Sequence, residues 1–282
     1  MLNREKPVLA PAGLQSSAER QGPNRLAGLD RWWLLFVGAI ALAIFLFEAF
    51  PARYGVIFRF VVGSWTGGDG VYMTLKLTVV SFVFIVIVGM LMGLFRVSSA
   101  RILKSVSSLY VEIVRGVPVL VWLLWIYFGV PSLLQAITWL PPALQRIPTF
   151  PAAVLAFTFA YGAYMTEVFR AGIQSIAKGQ MEASRSLGMT YVQAMRYIIL
   201  PQAVRVILPP MSNEFVTLLK DSSLVSILGG MEDITRRGRE WVAQYFTSFD
   251  TYLVVALVYL ILTLFFTRMS SAIERRLSVE KR

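Results

Sequence analysis

Hydrophobic positions fall in long runs along this chain, separated by short polar stretches. A helix needs about 20 apolar residues to cross the hydrocarbon core of a bilayer. Trp32 to Phe50 is one such run, Val71 to Phe95 a second, Tyr110 to Pro131 a third and Phe150 to Phe169 a fourth. Val204 to Leu228 is a weaker fifth, interrupted by Pro209, Pro210, Asn213, Glu214, Lys220 and Asp221, and Tyr252 to Thr267 is the sixth. The pattern predicts an all-α membrane protein with six transmembrane helices. Residues 1–29 are polar and rich in Pro, Ser, Gln and Arg, with no apolar stretch before Trp32. They read as a disordered tail, not as a cleaved signal. No internal repeat of fixed period is visible.

Charge sets the orientation. With the N-terminus placed inside, the inner segments up to Arg31, 96–104, 170–205 and 268–282 hold eighteen Lys and Arg, and the outer segments 51–70, 132–149 and 231–249 hold six. An excess of basic residues on cytoplasmic loops is the usual bias of membrane proteins. Both termini are therefore expected in the cytoplasm, with residues 271–282 forming a basic tail. The net charge of +11 then needs no nucleic acid to explain it. Composition agrees with a membrane chain: 56% hydrophobic, 15% charged, mean hydropathy +0.64.

One polar stretch on the inner side stands out, EASRSLGMTYVQAMRYIILPQ from Glu182 to Gln202. Gly179 suits an N-cap, with helix from Gln180 to Leu187. Gly188 suits the left-handed position that ends a helix. Thr190 with Gln193 reads as a capping box opening a second helix. Tyr191, Met195 and Ile198 give that helix an apolar stripe, and Leu200-Pro201 is expected to end it. The result is helix, tight turn, helix, about residues 179–202.

The spacing Glu182-Ala183-Ser184, Gly188, Ile198, Leu200-Pro201 fits the pattern E-A-A-x3-G-x9-I-x-L-P, with Ser184 in place of the second alanine. This resembles the EAA loop of the permease subunits of bacterial binding-protein-dependent ABC importers. YVEIVRGVPVLVWLLWIYFGVP, Tyr110 to Pro131, is similar to the E-x-x-R-G-x-P-x-L signature of the polar amino-acid branch, the histidine, glutamine and glutamate type. YMTEVFRAGIQSIAKGQMEASRSLGM and LPPMSNEFVTLLKDSSLVSIL look like the same branch. The likeness covers about residues 70–270 and implies a five-span permease domain there, with residues 30–50 as an extra N-terminal span.

The resemblance implies a function. The EAA loop would form a coupling helix docking on a cytoplasmic ATPase, with Glu182, Ala183, Ser184, Arg185, Gly188, Ile198, Leu200 and Pro201 as the coupling residues. Expected partners are an ABC ATPase dimer, an external solute-binding protein, a second permease copy (identical or similar), a polar amino-acid substrate and membrane lipid. The location would be the bacterial inner membrane. A stand-alone secondary transporter or channel would keep the buried charges but leave the EAA spacing unexplained, and an ABC permease for another small polar solute is the other alternative.

Polar residues within the runs mark the candidate substrate path, because ionisable groups at membrane depth usually face a cavity or a partner. Glu214 lies in the fifth run just after Pro209-Pro210, with Asn213 and Thr217 expected on the same side. It is read as a substrate contact, with an ion pair to Lys76 as the alternative. Lys220 and Asp221 have a cavity role or snorkel toward the outer end. Tyr161 and Tyr164 are weaker candidates for lining the path. Glu112–Arg115 and Glu167–Arg170 share an i, i+3 spacing and read as structural ion pairs. Trp32 and Trp33 read as interfacial anchors.

With no Cys and no His, thiol nucleophiles, Cys/His zinc sites and imidazole catalysis are excluded. No metal or cofactor is expected. No G-x-x-x-x-G-K-[ST] loop is present, so ATP hydrolysis is expected on a separate subunit.

Overall fold

A computed structural model describes residues 31–176 and 178–279. The tail expected over residues 1–29 lies outside the described residues, as do the side chains of Trp32 and Trp33. Among the described residues the chain is helical throughout, apart from loops and one isolated bridge between Gly70 and Asp233.

Helix α1 (Arg31–Ala49) follows the first apolar run. A π-helical turn (Pro51–Gly55) and α2 (Val56–Val62) then run on at 106° to it, an element the apolar runs gave no sign of. Helix α3 (Val71–Val97) covers the second run. The third run is not one helix. Instead α4 (Arg101–Arg115) meets a rod made of α5 (Val119–Leu124), a π-helical turn (Trp125–Gly129) and α6 (Val130–Gln135) at 100°. The break falls at Gly116-Val117-Pro118, where proline disfavours helical backbone in the residue before it.

Helix α7 (Thr149–Gln174) covers the fourth run. Next come α8 (Lys178–Ser186), α9 (Tyr191–Ala194), a π-helical turn (Met195–Ile199) and α10 (Leu200–Asp221). A 3₁₀ turn (Ser222–Ile227), α11 (Ile234–Tyr245) and α12 (Ser248–Val279) complete the chain. Residues 271–279 of the expected basic tail are thus a continuation of α12. Three helices among the described residues, α3, α7 and α12, are long and apolar enough to cross a membrane, or up to five if each bent pair is one span. Helix α10 falls short on that measure because its run carries Asn213, Glu214, Lys220 and Asp221.

The centre of the fold is the contact of α3 with α7. The buried face of α3 runs through Thr74, Leu77, Thr78, Ser81, Ile85, Gly89 and Gly93. A side chain at Gly89 would strike Met165, and one at Gly93 would strike Phe169. Helix α7 answers with Gly162, where a side chain would strike Val88 of α3. Small residues let two backbones approach closely, the main source of helix association in lipid. Two buried hydroxyls are satisfied within their own helices: Thr78 Oγ1 donates to the Thr74 carbonyl at 2.8 Å and Thr166 Oγ1 to the Gly162 carbonyl at 2.7 Å, whereas the buried Ser81 Oγ finds no partner among the described residues. Phe157, Ile207 and Leu218 join this core, which brings α10 against α7.

A second core binds the N-terminal extension to α11 and α12 through Ile57, Val61, Ile234, Val254 and Val258. Polar contacts reinforce it. Arg53 Nε and Nη2 donate to Asp250 Oδ2 at 2.9 and 2.7 Å, and Tyr54 Oη donates to Oδ1 at 3.1 Å. Arg237 donates to the Phe60 carbonyl and to Asp69, and its guanidinium lies 4.3 Å from the Phe60 ring centroid. The Gly70 amide donates to the Glu232 carbonyl at 2.7 Å.

Gly89→Val is expected to destabilise the protein by about 1–3 kcal/mol through overpacking. Gly38→Val on α1, where a side chain meets open space, is the control. Thermal unfolding of the purified variants checks this. An unfolding temperature for Gly89→Val no lower than for Gly38→Val would refute the close-packing account.

Candidate functional site

Two regions collect the residues singled out from the sequence: the turn between α8 and α9, and a cavity between α4, α7 and α10.

Gly188 has φ +84°, the left-handed conformation that ends α8. The Gly188 amide donates to the Arg185 carbonyl at 3.0 Å and the Met189 amide to the Ser184 carbonyl at 3.2 Å, the two bonds of a Schellman turn. Arg185 Nη1 donates to the Met189 carbonyl at 2.9 Å and closes the turn from outside. Thr190 and Gln193 form the expected capping box: the Thr190 amide donates to Gln193 Oε1 at 2.8 Å, and the Gln193 amide to Thr190 Oγ1 at 3.2 Å. Ser184 is buried, its Oγ donating to the Gln180 carbonyl at 2.6 Å, whereas Glu182, Ala183 and Arg185 are exposed. Ile198 and Leu200 pack against the main core.

Two expectations for this stretch are corrected. Gly179 is not the N-cap, since α8 already includes Lys178. Leu200-Pro201 does not end the second helix. Pro201 falls in the first turn of α10, and the preceding residues Met195–Ile199 adopt the wider π spacing, so the chain stays helical where proline's missing amide interrupts the α ladder. Gln202 Nε2 donates to the Ile198 carbonyl at 2.9 Å across that junction. The element that opens at Thr190 therefore continues into α10. Pro209 and Pro210 also lie inside α10 without ending it.

Glu214 lines a cavity of about 460 Å³ together with Arg115, Tyr164, Glu167, Ser175 and Pro210. The Arg115 guanidinium lies 5.1 Å from the Tyr164 ring centroid. Tyr161 is buried, and its hydroxyl donates to Asp221 Oδ2 at 2.6 Å. Its ring centroid is 5.9 Å from that of Tyr164. Toward the α8 end, Glu167 accepts from Arg170 Nε at 2.9 Å, and its other oxygen is 3.2 Å from Arg96 Nη1. The cavity thus has two carboxylates, a guanidinium and an aromatic ring in its lining.

Not every candidate gathers there. Asn213, Thr217 and Lys220 form an exposed stripe beside the cavity, and Thr217 Oγ1 donates to the Asn213 carbonyl at 3.0 Å. Lys76 is not near Glu214; it lies over the Tyr72 and Phe150 rings. Glu112 and Arg115 form no ion pair among the described residues, because Arg115 turns to Tyr164. Sequence reasoning missed Arg115 as a cavity residue and Arg96 as a partner of Glu167. The signal for Arg115 was present in R-G-V-P, which ends a helix and leaves the arginine at its tip.

Residues 85–279 match the family described as binding-protein-dependent transport system inner membrane component. The chain belongs to this family. Similar proteins include the probable amino-acid permease YxeN of Bacillus subtilis, 37% identical over 73% of this chain and 88% of that one. Another is the glutamine transport system permease GlnP of Escherichia coli, 34% identical over 75% of this chain and 92% of that one. A crystal structure of an amino acid ABC transporter with histidines holds a chain 42% identical, with a TM-score of 0.65 over 73% of this chain and 92% of that one. As an inner-membrane component of a transport system, this family member needs a path for solute, and the charged cavity is the candidate.

Tyr161→Phe is expected to destabilise the protein by about 1–3 kcal/mol, because Asp221 loses a partner in a poorly hydrated setting. A denaturation midpoint matching wild type would show that water replaces the bond.

Proposed function

We propose that this chain is the permease subunit of an ABC importer for polar amino acids. The observation that carries the substrate class is the pairing of Glu214 with Arg115 on one cavity. An α-amino acid is a zwitterion. A carboxylate from α10 and a guanidinium from α4 on one cavity suit its ammonium and its carboxylate, and the face of Tyr164 suits a carbon skeleton. The names of the relatives, amino-acid and glutamine permeases among them, support the same class.

The α8–α9 turn serves as the coupling element. Leu187 and Val192, on either side of the Gly188–Thr190 turn, are 85% and 70% exposed, an apolar tip suited to a groove on an ATPase. Glu182, Ala183, Ser184, Arg185 and Gly188 shape the tip, and Ile198, Leu200 and Pro201 carry it into α10. From Leu200 to Glu214 is about 21 Å along one helix. A push at the turn therefore moves the wall of the cavity. ATP hydrolysis belongs to a pair of ATPase subunits, and an external solute-binding protein delivers substrate. A second permease copy covers the exposed Asn213, Thr217 and Lys220 stripe, with Asp221 and Tyr161 closing the outer side of the path.

In this reading α1, α3, the α5–α6 rod, α7, α10 and α12 are six spans in the bacterial inner membrane, with both termini cytoplasmic. Residues 70–270 are the permease domain and residues 30–50 an additional span. The eighteen-to-six division of Lys and Arg supports that orientation.

Glu214→Gln keeps the shape and removes the charge. A hydrogen bond to a charged group contributes roughly 1.5–3 kcal/mol, so transport in reconstituted vesicles is expected to need about ten- to a hundredfold more substrate at the cavity. Binding to the external protein should stay unchanged. Wild-type transport by Glu214→Gln would make Glu214 structural.

Gly188→Val is expected to abolish transport while the protein still inserts. The site has open space, so the cost arises from the positive φ alone. Copurification of the ATPase reads the effect. Full recovery together with full transport would remove the turn from the coupling role.

A further inference from the structure

Helix α3 is one of the helices apolar enough to cross a membrane, yet its outward face carries a lysine. Thr74, Thr78, Ser81, Ile85 and Gly89 lie on its buried face, which meets the start of α11 at Thr74 and α7 at Gly89. On the opposite side Lys76, Val79, Val83, Ile87 and Met90 recur at three- and four-residue spacing and are all exposed. A lysine on such a face meets lipid, and an unpaired cation there is costly. Among the described residues no carboxylate reaches ion-pairing distance of Lys76.

The surroundings of Lys76 form a site with two parts. Its ammonium lies 5.1 Å from the Phe150 ring centroid and 5.9 Å from that of Tyr72, one turn nearer the start of α3. Tyr72 in turn stacks edge-on with Trp65, their centroids 4.9 Å apart. Below this aromatic cluster a groove of about 380 Å³ runs between Leu75, Val79 and Phe266. Its lining is apolar except at the Lys76 end. Lys76 lies about 7.5 Å along the helix from Val71, a depth its stem spans by snorkelling toward the interface.

We propose that this surface binds one anionic phospholipid, with the phosphate on Lys76 Nζ and an acyl chain in the groove. Tyr72 and Trp65 flank the headgroup, the position interfacial aromatics favour. An anionic lipid is preferred to a zwitterionic one because the latter brings its own ammonium to compete for the phosphate. Among the described residues the site reaches α7 only through the Phe150 ring at that helix's start and shares no lining residue with the Glu214 cavity.

The test uses the full chain in a neutral detergent, with phosphatidylglycerol, phosphatidylcholine and inorganic phosphate as probes and native mass spectrometry as the readout. Wild type is expected to retain phosphatidylglycerol in preference to phosphatidylcholine. Lys76→Gln should retain it roughly tenfold less well, the loss of one charged hydrogen bond, and Lys76→Arg should keep it. Val83→Ala, two turns further along the same face, should leave retention unchanged. Trp65→Ala, an exposed loop change, should weaken retention too and gives a second reading if Lys76→Gln fails to fold. Equal retention of phosphatidylglycerol by wild type, Lys76→Gln and Trp65→Ala overturns the proposal, as does equal retention of the two lipids by wild type. Displacement of the lipid by equimolar inorganic phosphate would show an ion site instead. Protection of this face by a second copy of the chain, seen as cross-links through position 79, would equally rule out lipid.

Discussion

The approach of α3 to α7 is the contact on which the other helices depend. In lipid there is no water to expel, so two helices associate only as well as their surfaces fit. Gly89 and Gly93 remove the side chains that would hold the backbones apart, and Met165 and Phe169 fill the space released. Once α7 is fixed, its other faces set the positions of α10 and the α5–α6 rod. Ile207 of α10 packs against Gly172 of α7, where a side chain would strike it. That contact brings Glu214 to face Tyr164 and opens the cavity on a rigid wall.

The cavity and the α8–α9 turn are joined by continuity, not proximity. A conventional stop at Leu200-Pro201 would have left a flexible joint between them. The π-helical turn over Met195–Ile199 avoids the stop by changing the hydrogen-bond spacing before the proline instead of breaking the helix. The joint is also anchored at its sides, since Ile199 and Ala203 are both buried in the main core. The helix that opens at Thr190 and the wall bearing Glu214 are thus parts of one continuous helical run.

Much of this was legible in the sequence, and the reasons are local. Gly188 and the Thr190–Gln193 box are governed by φ and by nearby hydrogen bonds, so pattern alone located them. The apolar runs located α1, α3, α7 and α12 because burial in lipid demands length. What escaped were outcomes set by tertiary contact or by proline in context. Pro118 breaks a run that hydropathy reads as continuous, while Pro201, Pro209 and Pro210 do not break one that propensity reads as interrupted. The facing of Arg115 was missed because an i, i+3 pair with Glu112 looked sufficient, and only the packing of α4 on α7 turns it to Tyr164. Asn213 and Thr217 were assigned the side of Glu214 from helical proximity. Asn213 is about 100° of rotation from Glu214 and Thr217 about 60°, and Thr217 turns to the Asn213 carbonyl, so both lie on the exposed stripe.

The N-terminal extension was legible as a span but not as part of the fold. Its role follows from where the charges find partners. Asp250 lies in the stretch shared with the family, and its side chain is 6% exposed, yet the partners described for it are Arg53 and Tyr54. Arg237, also in the shared stretch, reaches the Phe60 carbonyl and Asp69. Asp250 therefore relies on groups that precede the shared region, and Arg237 divides its bonds between such groups and Glu232. A buried carboxylate without its cation is a heavier burden than no carboxylate at all, so the shared stretch of this chain is adapted to the extension and not merely joined to it. The same contacts hold α11 against α2 and fix the loop that leaves the far end of α10. The extension thus braces one end of α10 and the π-helical junction joins the other to the α8–α9 turn, with the wall bearing Glu214 between them.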